Sequence, residues 1–519
     1  MKTLYDLVLT ASKKYGSKIA IEDDCDFITF NEIYIESLKV SKFLTDKGLK
    51  KGDRVSICMG KSIYQILAII GVAIAGGIFV PILPNLKKDG LKYILDHSGS
   101  KFIITDLDRH KEFENLKKKC KVFFYCKPSL LKDNKKNISK LISNYSHKID
   151  LKHKNKPDDD IAIIYSSGST GYPKGIVIPN KNLELGARIV SQYLKTKKND
   201  RIACVLSFNF DYGLNQLWQC LLVGSTLCLY EIFFYPDFFK FCKRKKITII
   251  PLMPVIISLL THNISNVNKK FINRNIKYIC TSGGIVSKQM ILVLRKIFPK
   301  AKIYLMYGLT EAFRSSFLDP KKSLRKYYSI GRAIPKVKLN IVREDYSECK
   351  QGEVGELVHR GGCVSSRYWK DKVSSRERFK KISRFPRETT VFSGDLVKKD
   401  KEGDIIFVSR KDFMIKTMGF RVSPTEIESQ VFKYKYIFQC VVFSVKDENI
   451  GESIILSYTT KNNKKIKNEN LKKHLIERLP KYMMPKKFLY FKKFKITGNQ
   501  GKIDRKEVVE ISKNLLKNA

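Results

Sequence analysis

The segment "YSSGSTGYPKG", which begins at Tyr165, concentrates the residue types that hold phosphate. Gly168, Gly171 and Gly175 let the backbone turn its amides towards an anion. Ser166, Ser167, Ser169 and Thr170 add hydroxyl donors, and Lys174 adds a positive charge. A Walker A loop needs Gly-Lys followed by Ser or Thr. Here Pro173 precedes Lys174 and Gly175 follows it, so the segment predicts a phosphate cradle of another kind and removes the main support for a kinase or P-loop ATPase. A plain surface loop is the competing reading of the same residues.

A cradle must be carried by a rigid element, and the apolar run Ile161 to Ile164 supplies a strand directly before it. Similar runs, "RIACVLSF", "STLCLY", "ITIIPLMP", "KYICTSGG" and "KIYLMYG", alternate with helical patterns such as Asn182 to Leu194. That alternation predicts parallel sheets layered with helices. Ligands in such folds sit beyond the carboxyl ends of the strands, where the Gly- and Ser-rich turns of this chain fall. After about Ser409 the pattern changes to "EIESQVF", "CVVFSV", "ESIILSYTT" and a Lys-rich C-terminal helix. The expectation is an α/β fold with a large N-terminal domain, residues 1–409, and a small mobile α+β domain, residues 410–519, joined through "SRKDFMIK".

Composition narrows the function classes. A chain of 519 residues exceeds a single core, and 43% apolar with 29% charged residues is a globular balance. The net charge of +49 would by itself suggest nucleic acid. Lysine, however, is spread along the whole chain without a basic stripe interleaved with aromatics, so no nucleic-acid partner is expected, and the positive field favours anionic substrates. Twelve cysteines stand singly between Cys25 and Cys440, without a CxxC pair, which predicts reduced thiols and no structural metal. The N-terminus lacks the features of a signal peptide, so a cytoplasmic protein is expected. The run Ile63 to Pro84 is long enough to cross a bilayer. Gln65, the Gly76-Gly77 break, Pro81 and Pro84 predict instead a buried helix, a turn and a buried strand, and no integral membrane protein.

Further motifs follow in order: "FDYG" at Phe210, "TSGG" at Thr281, "YGLTEA" at Tyr307, "SGD" at Ser393, "RKDFMIKTMGFRVSPTEIE" at Arg410 and "GKIDRK" at Gly501. Each alone is weak. Together with the phosphate segment, the chain resembles over nearly its whole length the adenylate-forming (AMP-binding) superfamily of acyl-CoA synthetases, peptide-synthetase adenylation domains and luciferases. The wording of "FDYGLNQLW", "YGLTEAFRSSFL" and "GELVHRG" is most similar to AMP-forming acyl-CoA ligases associated with exosortase and surface-polysaccharide loci.

That resemblance implies an enzyme that uses ATP and Mg²⁺ to join a carboxylate to the α-phosphate, expels pyrophosphate, and then passes the acyl group to a thiol. Glu311 would hold Mg²⁺, Thr310 would touch the α-phosphate and Lys502 would bridge carboxylate and α-phosphate. Lys174 would attend the pyrophosphate, Asp395 the ribose hydroxyls, and Arg410 and Arg421 the nucleotide oxygens. Tyr307, next to Gly308, would stack on adenine, while Gly283 and Gly284 line the base and acyl pocket. Asp412 matches a hinge, and Gly419 would line a thiol tunnel after the small domain swings. Asp211 stands where amino-acid-activating relatives bind the substrate ammonium, Trp218 follows on the same segment, and Arg314 falls near a specificity position where it could face a second carboxylate. Mutual neutralisation of Asp211 and Arg314 is the ordinary alternative. Ser409, where relatives often have Gly, and the longer "TGNQGK" depart from the family pattern. Coenzyme A or a phosphopantetheine carrier supplied in trans would be the acceptor. The competing functions are amino-acid loading of a stand-alone carrier and a non-catalytic adenylate-binding regulator; nothing specific supports oxidation of the luciferase kind.

Overall fold

The computed structural model describes residues 2–86, 88–116, 120–127, 136–146, 155–166, 173–231, 235–262, 271–284, 286–417, 420–447, 450–497 and 502–517. Two large sheets and a smaller C-terminal sheet organise them. The first large sheet runs Arg367–Tyr368, Lys174–Pro179, Asp160–Ser166, Ile78–Pro81, Arg54–Cys58, Phe102–Thr105 and Lys121–Phe124. Its last five strands are parallel, and Asp160–Ser166 pairs antiparallel with Lys174–Pro179, so the phosphate segment is the connection of a hairpin.

The apolar run beginning at Ile63 forms the helix Ile63–Ile74, followed by the strand Ile78–Pro81. Nearly every side chain of that helix, Gln65 included, is buried. A helix apolar on all faces belongs inside a layered protein, and Gln65 is satisfied there because its Nε2 donates to the Met59 carbonyl at 3.1 Å. Among the described residues no helix is long and apolar enough to cross a membrane.

The second large sheet begins with the parallel strands Ile19–Glu22, Thr226–Leu229, Arg201–Cys204, Ile249–Leu252, Tyr278–Thr281 and Lys302–Tyr307. It then continues antiparallel through Ser316–Leu318, Ser329–Ala333, Ile405–Arg410, Thr390–Lys399, Gly355–Gly361 and Val337–Val342. The expectation of parallel sheets therefore holds for one half of this sheet only. The other half has strands such as Val337–Val342, whose burial alternates with exposed lysine and partly exposed asparagine, the pattern of a sheet wet on one face.

The turn joining Thr390–Lys399 to Ile405–Arg410 is held by ions. The Lys326 ammonium is buried between Asp400 and Asp404, 2.5 and 2.7 Å away. Lys322 and Arg332 reach Asp404 at 2.8 and 2.9 Å.

The C-terminal sheet orders Phe420–Val422, Ile415–Thr417, Gly451–Thr460 and Ile437–Asp447, with Lys487–Tyr490 parallel to Gly451–Thr460. It has its own core around Ile427, Val442, Leu456, Tyr458 and Leu471. Lys502–Ile503 pairs with Ile496–Thr497 in a separate two-stranded ribbon. Arg505, at the start of the helix Arg505–Lys517, forms an ion pair with the buried Glu428.

The helix Asp211–Val223 begins so close to the preceding loop that a Cβ on Gly213 would lie 1.9 Å from the Ser207 carbonyl oxygen. That is a backbone contact, so relief requires moving the helix start. Gly213→Ala is expected to lower stability by about 3 kcal/mol, the cost of overpacking. Urea denaturation checks it, and an unchanged midpoint would refute the close approach.

Candidate active site

Side chains from both large sheets meet at Glu311, with Asp395 further along the larger sheet. Glu311 lies in the turn after the strand Lys302–Tyr307, beyond its carboxyl end. Its carboxylate is largely buried and accepts a hydrogen bond of 2.6 Å from the Tyr368 hydroxyl. Arg378 Nη2 stands 3.6 Å from the same oxygen. Burial and the neighbouring Glu311 raise the Tyr368 hydroxyl above its ordinary pKa, so it remains a donor. On its other side the Tyr368 ring receives the Lys174 ammonium 5.2 Å from its centroid. Lys174 also donates to Ser374 Oγ at 2.6 Å and lies 3.9 Å from Asp371.

Asp395 is 3% exposed. The Tyr307 hydroxyl donates to its Oδ2, and Arg410 Nη1 donates to its Oδ1 at 2.8 Å. The two strands that carry them put Asp395 and Arg410 directly opposite in the antiparallel ladder. Burial pushes the Asp395 carboxyl above the usual carboxylate range, and the Arg410 guanidinium pulls it back. Burial, with the adjacent Asp395 carboxylate, likewise raises Tyr307 well above its ordinary value. Gly394 has φ +68°, and a Cβ there would lie 3.2 Å from both Arg378 Nη1 and Arg410 Nη2. Arg378 thus stands between the Glu311 and Asp395 ends of the site.

The flanks of the phosphate segment are braced from outside. His97 Nδ1 and the Tyr165 hydroxyl are 2.8 Å apart, and the Tyr93 hydroxyl donates to the Pro173 carbonyl at 3.2 Å. Tyr93 and His97 stack with centroids 5.3 Å apart, and Trp369 donates from its ring nitrogen to the His97 carbonyl and from its backbone to the Gly175 carbonyl. One helix, Lys88–Ser98, therefore holds both chain ends from which that segment departs.

A cavity of about 30 Å³ adjoins this rim, lined by Asp211, Asn215, Trp218, Thr310, Phe313 and Ser365 among others. Asp211, Asn215 and Trp218 are spaced so as to share one face of the helix Asp211–Val223. Ser365 fixes the opposite wall: its Oγ donates to the Thr310 carbonyl at 2.8 Å and its backbone N–H to the Glu311 carbonyl at 2.9 Å. Arg314 is buried beside this cavity with its guanidinium 3.9 Å from the Tyr212 centroid. The next residue, Ser315, meets His359. His359 Nε2 donates to the Gly362 carbonyl at 2.9 Å, which leaves Nδ1 to accept from Ser315 Oγ at 2.9 Å.

Burial holds His359 neutral, with a pKa lowered to about 4 from an ordinary 6.5. The folded chain binds this proton less readily than the unfolded one. The associated stability is therefore present above pH 6.5 and is lost as pH falls towards 4, by about 3 kcal/mol. Urea midpoints at pH 7 and 4.5 should fall less steeply for His359→Gln than for the parent chain; equal slopes would exclude His359 as the titrating group.

Of the residues singled out in the sequence, Lys174, Tyr307, Gly308, Thr310, Glu311, Asp395 and Arg410 gather at this rim, while Asp211, Trp218 and Thr310 line the cavity. Gly283 and Gly284 follow the strand Tyr278–Thr281, with Gly284 against Pro254. Ser166 ends its strand, whereas Ser167, Gly168, Ser169, Thr170, Gly171 and Gly419 lie outside the described residues. For Asp412, Arg421 and Lys502 the backbone is placed, in the short turn Lys411–Phe413, the strand Phe420–Val422 and the strand Lys502–Ile503. Tyr368, Arg378, Tyr93 and His97 were not anticipated. The aromatic pair in "SSRYWKD" was the available signal for Tyr368; the others carried none.

An α/β body whose acidic and basic side chains gather beside the carboxyl end of the strand Lys302–Tyr307, followed by a small α+β unit, is the arrangement of the adenylate-forming class. Matches to known proteins agree: residues 9–369 match the family described as AMP-binding enzyme, and residues 426–500 its C-terminal domain. The chain belongs to the AMP-binding enzyme family, the adenylate-forming ligases. It is 28% identical over 516 residues to gramicidin S synthase 1 of Brevibacillus brevis, covering 98% of this chain and 44% of that protein. It is 26% identical to zwittermicin A synthase ZmaJ of Bacillus cereus, covering 94% and 91%. The chain thus spans less than half the length of gramicidin S synthase 1 and far less of several other synthases it matches. In fold it is similar to o-succinylbenzoate CoA synthetase of Bacillus subtilis, with TM-score 0.84 and 21% identity over 98% of both chains. It is also similar to MatB of Rhodopseudomonas palustris, with TM-score 0.88 and 20% identity over 99% and 100%.

Proposed function

We propose that the protein activates a carboxylic acid as its acyl-adenylate at the expense of ATP and then transfers the acyl group to a thiol, coenzyme A in the first instance. The observation that carries this reading is the adjacency of the Asp395–Tyr307–Arg410 cluster, the Glu311–Tyr368–Lys174 row and the cavity lined by Asp211, Trp218 and Thr310. A nucleotide would lie along the first two and an acid in the third. Asp395, with two acceptor oxygens, suits a pair of ribose hydroxyls.

A carboxylate oxygen attacks the α-phosphorus, the bond to the β-phosphate breaks, and pyrophosphate leaves with the electron pair. Lys174 and Arg378 supply positive charge at the phosphate end, where such transfers gain most from positioned cations. Glu311 keeps one oxygen for a metal while Tyr368 occupies the other, which fits Mg²⁺, an ion usually held by one or two carboxylates together with substrate phosphates. When bound, that ion would neutralise phosphate charge. Lys502, on the small C-terminal unit, would deliver its ammonium to the carboxylate and α-phosphate. In the second step a thiolate attacks the acyl carbonyl and AMP departs.

The division of the chain at Ser409 and Arg410, with Asp412 as the hinge, belongs to this reading, since two nucleophiles need different surroundings around one adenylate. Asp412→Pro is expected to slow thioester formation at least about ten times more than adenylation. Equal loss of both half-reactions would remove the hinge.

Acid-dependent exchange of labelled pyrophosphate into ATP, run against fatty, aryl and amino acids, tests the reading, with AMP as the nucleotide product. Release of ADP, or exchange with no acid, would overturn it. A second reading, amino-acid activation for a phosphopantetheine carrier, is favoured by Asp211 at the cavity wall, a counter-charge for an ammonium group, and by the likeness to gramicidin S synthase 1. Exchange stimulated by amino acids, with no CoA thioester formed, would select it.

A further inference from the structure

The helix Lys88–Ser98 is firmly anchored before it reaches the rim. Its buried residues Leu91, Ile94 and Leu95 share one apolar cluster with Ile163 and Val177 of the phosphate hairpin. At its carboxyl end Arg54, from the strand Arg54–Cys58, donates from Nε to the Ser98 carbonyl and from Nη2 to the Gly99 carbonyl, both at 2.9 Å. A guanidinium there satisfies carbonyls that no helical N–H reaches and faces the negative end of the helix dipole. The same guanidinium lies 5.4 Å from the Trp369 ring centroid, so the helix end and Trp369 share one support.

Tyr93 and His97, four residues apart, project from one face of this helix and meet both strands of the hairpin. In that ladder Tyr165 stands opposite Gly175, and Ser166 opposite Lys174. His97 Nδ1 is 2.8 Å from the Tyr165 hydroxyl, while Tyr93 donates to the Pro173 carbonyl at 3.2 Å. Trp369, bonded to the His97 carbonyl, donates from its backbone to the Gly175 carbonyl at 2.7 Å. Tyr165 is buried, at 8% exposed. Burial raises its hydroxyl pKa and lowers that of His97, so the pair is neutral, with Tyr165 donating and His97 accepting. The two strands have no slack between them: a Cβ on Gly175 would lie 2.8 Å from Ile163 and 3.2 Å from the Tyr165 ring.

Lys174 is held in place without being closely neutralised. Its ammonium donates to the neutral Ser374 Oγ at 2.6 Å, and the one carboxylate within ion-pair distance among the described residues, Asp371, is 3.9 Å away. A cavity of about 130 Å³, lined by Tyr93, His97, Lys174, Tyr368, Trp369 and Asp371 among others, borders both the clamp and this ammonium. Where the charge lies therefore depends on where the strand end sets the Lys174 backbone.

We propose that His97 and Tyr93 are positioning residues for the nucleotide phosphates: from outside the rim they fix the strand ends that carry Ser166 and Lys174, and so set the affinity for ATP and for pyrophosphate. The inference rests on the adenylation reading above for the identity of its ligand. Neither side chain has to touch the nucleotide. A site whose donors are in place before the ligand arrives loses much of its strength when they shift by about 1 Å. Removing the His97 acceptor leaves the buried Tyr165 hydroxyl unsatisfied, a cost the strand end relieves by moving. Packing alone would instead affect stability and leave ligand affinity untouched.

The test is acid-dependent pyrophosphate exchange by the full chain, with isothermal titration of ATP and urea denaturation of the same proteins. His97→Phe keeps a ring beside Tyr93 and removes the acceptor. It is expected to raise KM for ATP and for pyrophosphate by about ten-fold, the scale of one unsatisfied buried hydroxyl, with KM for the acid unchanged. His97→Asn, which offers Tyr165 an oxygen, should recover most of that loss. Tyr93→Phe removes one hydroxyl and keeps the ring; it should raise the same two constants about three-fold, and it carries the test if His97→Phe does not fold. Parental affinities for ATP and pyrophosphate in the folded variants, with or without a lower urea midpoint, would overturn the inference, as would a rise in KM for the acid as large as that for ATP. Exchange by the parent chain with no acid added would overturn the adenylation reading alone, because titration of ATP into parent and variants still decides whether Tyr93 and His97 set phosphate affinity.

Discussion

Lys502→Ala is expected to reduce acid-dependent pyrophosphate exchange by about 10³-fold while leaving ATP binding in place. The order of magnitude is that of removing one preorganised charge from the point where a transition state gathers negative charge. The strand Lys502–Ile503 is short and, among the described residues, pairs only with Ile496–Thr497, yet it is not loosely attached. Three residues on, Arg505 meets the buried Glu428, which in turn accepts from the Val442 backbone N–H at 2.8 Å. The ribbon that bears Lys502 is thereby fastened to the C-terminal sheet. Because the role proposed for Lys502 belongs to the first half-reaction, thioester formation from an acyl-adenylate supplied ready-made should proceed normally in the variant. Full exchange activity in Lys502→Ala would remove the residue from the mechanism.

Asp395→Asn should raise KM for ATP by about 10²-fold, the scale on which losing one member of a largely buried charged pair is felt. The change keeps shape and an acceptor for Tyr307 but removes the negative charge that faces Arg410 at 2.8 Å. Nucleotide affinity should suffer more than turnover at saturating ATP, since the role proposed for Asp395 is at the ribose and not at the reacting phosphorus. Isothermal titration with ATP and a KM series would show this. An Asp395→Asn protein with a normal urea midpoint and unchanged KM for ATP would dissociate Asp395 from the nucleotide.

Some of this site was legible from the chain alone because its chemistry is local. Glu311 sits in a Gly-containing turn at a strand end, Asp395 follows Gly394 within its strand, and Lys174 closes a Gly- and Ser-rich segment, so residue type and context coincide. The helix Ile63–Ile74 was equally readable, since an uninterrupted apolar run broken by glycine and proline has few other solutions. What escaped was chemistry assembled by packing. Tyr368 reaches Glu311 across 57 positions, and Tyr93 reaches Pro173 across 80. A tyrosine or histidine in an amphipathic helix is ordinary until the fold brings the loop ends to it. Arg314 lies between these cases: its residue type was noticed, but its burial over the Tyr212 ring depends on Tyr212, Gly308 and Ser315 closing around it.

The antiparallel half of the larger sheet escaped for a different reason. Strands with one wet face carry charges at every second position, and in a lysine-rich chain those charges resemble the background.

The pairing of Asp395 with Arg410 has one more implication. Arg410 is the last residue of its strand and leads directly into the turn containing Asp412, while the far end of that strand pair is pinned at Lys326, Asp400 and Asp404. A ribose that claimed both oxygens of Asp395 would compete with Arg410 for them. Under the hinge proposed at Asp412, occupancy would then be felt first at the strand end that leads into it, and loading the nucleotide would be coupled to releasing the C-terminal unit in a single thermodynamic event.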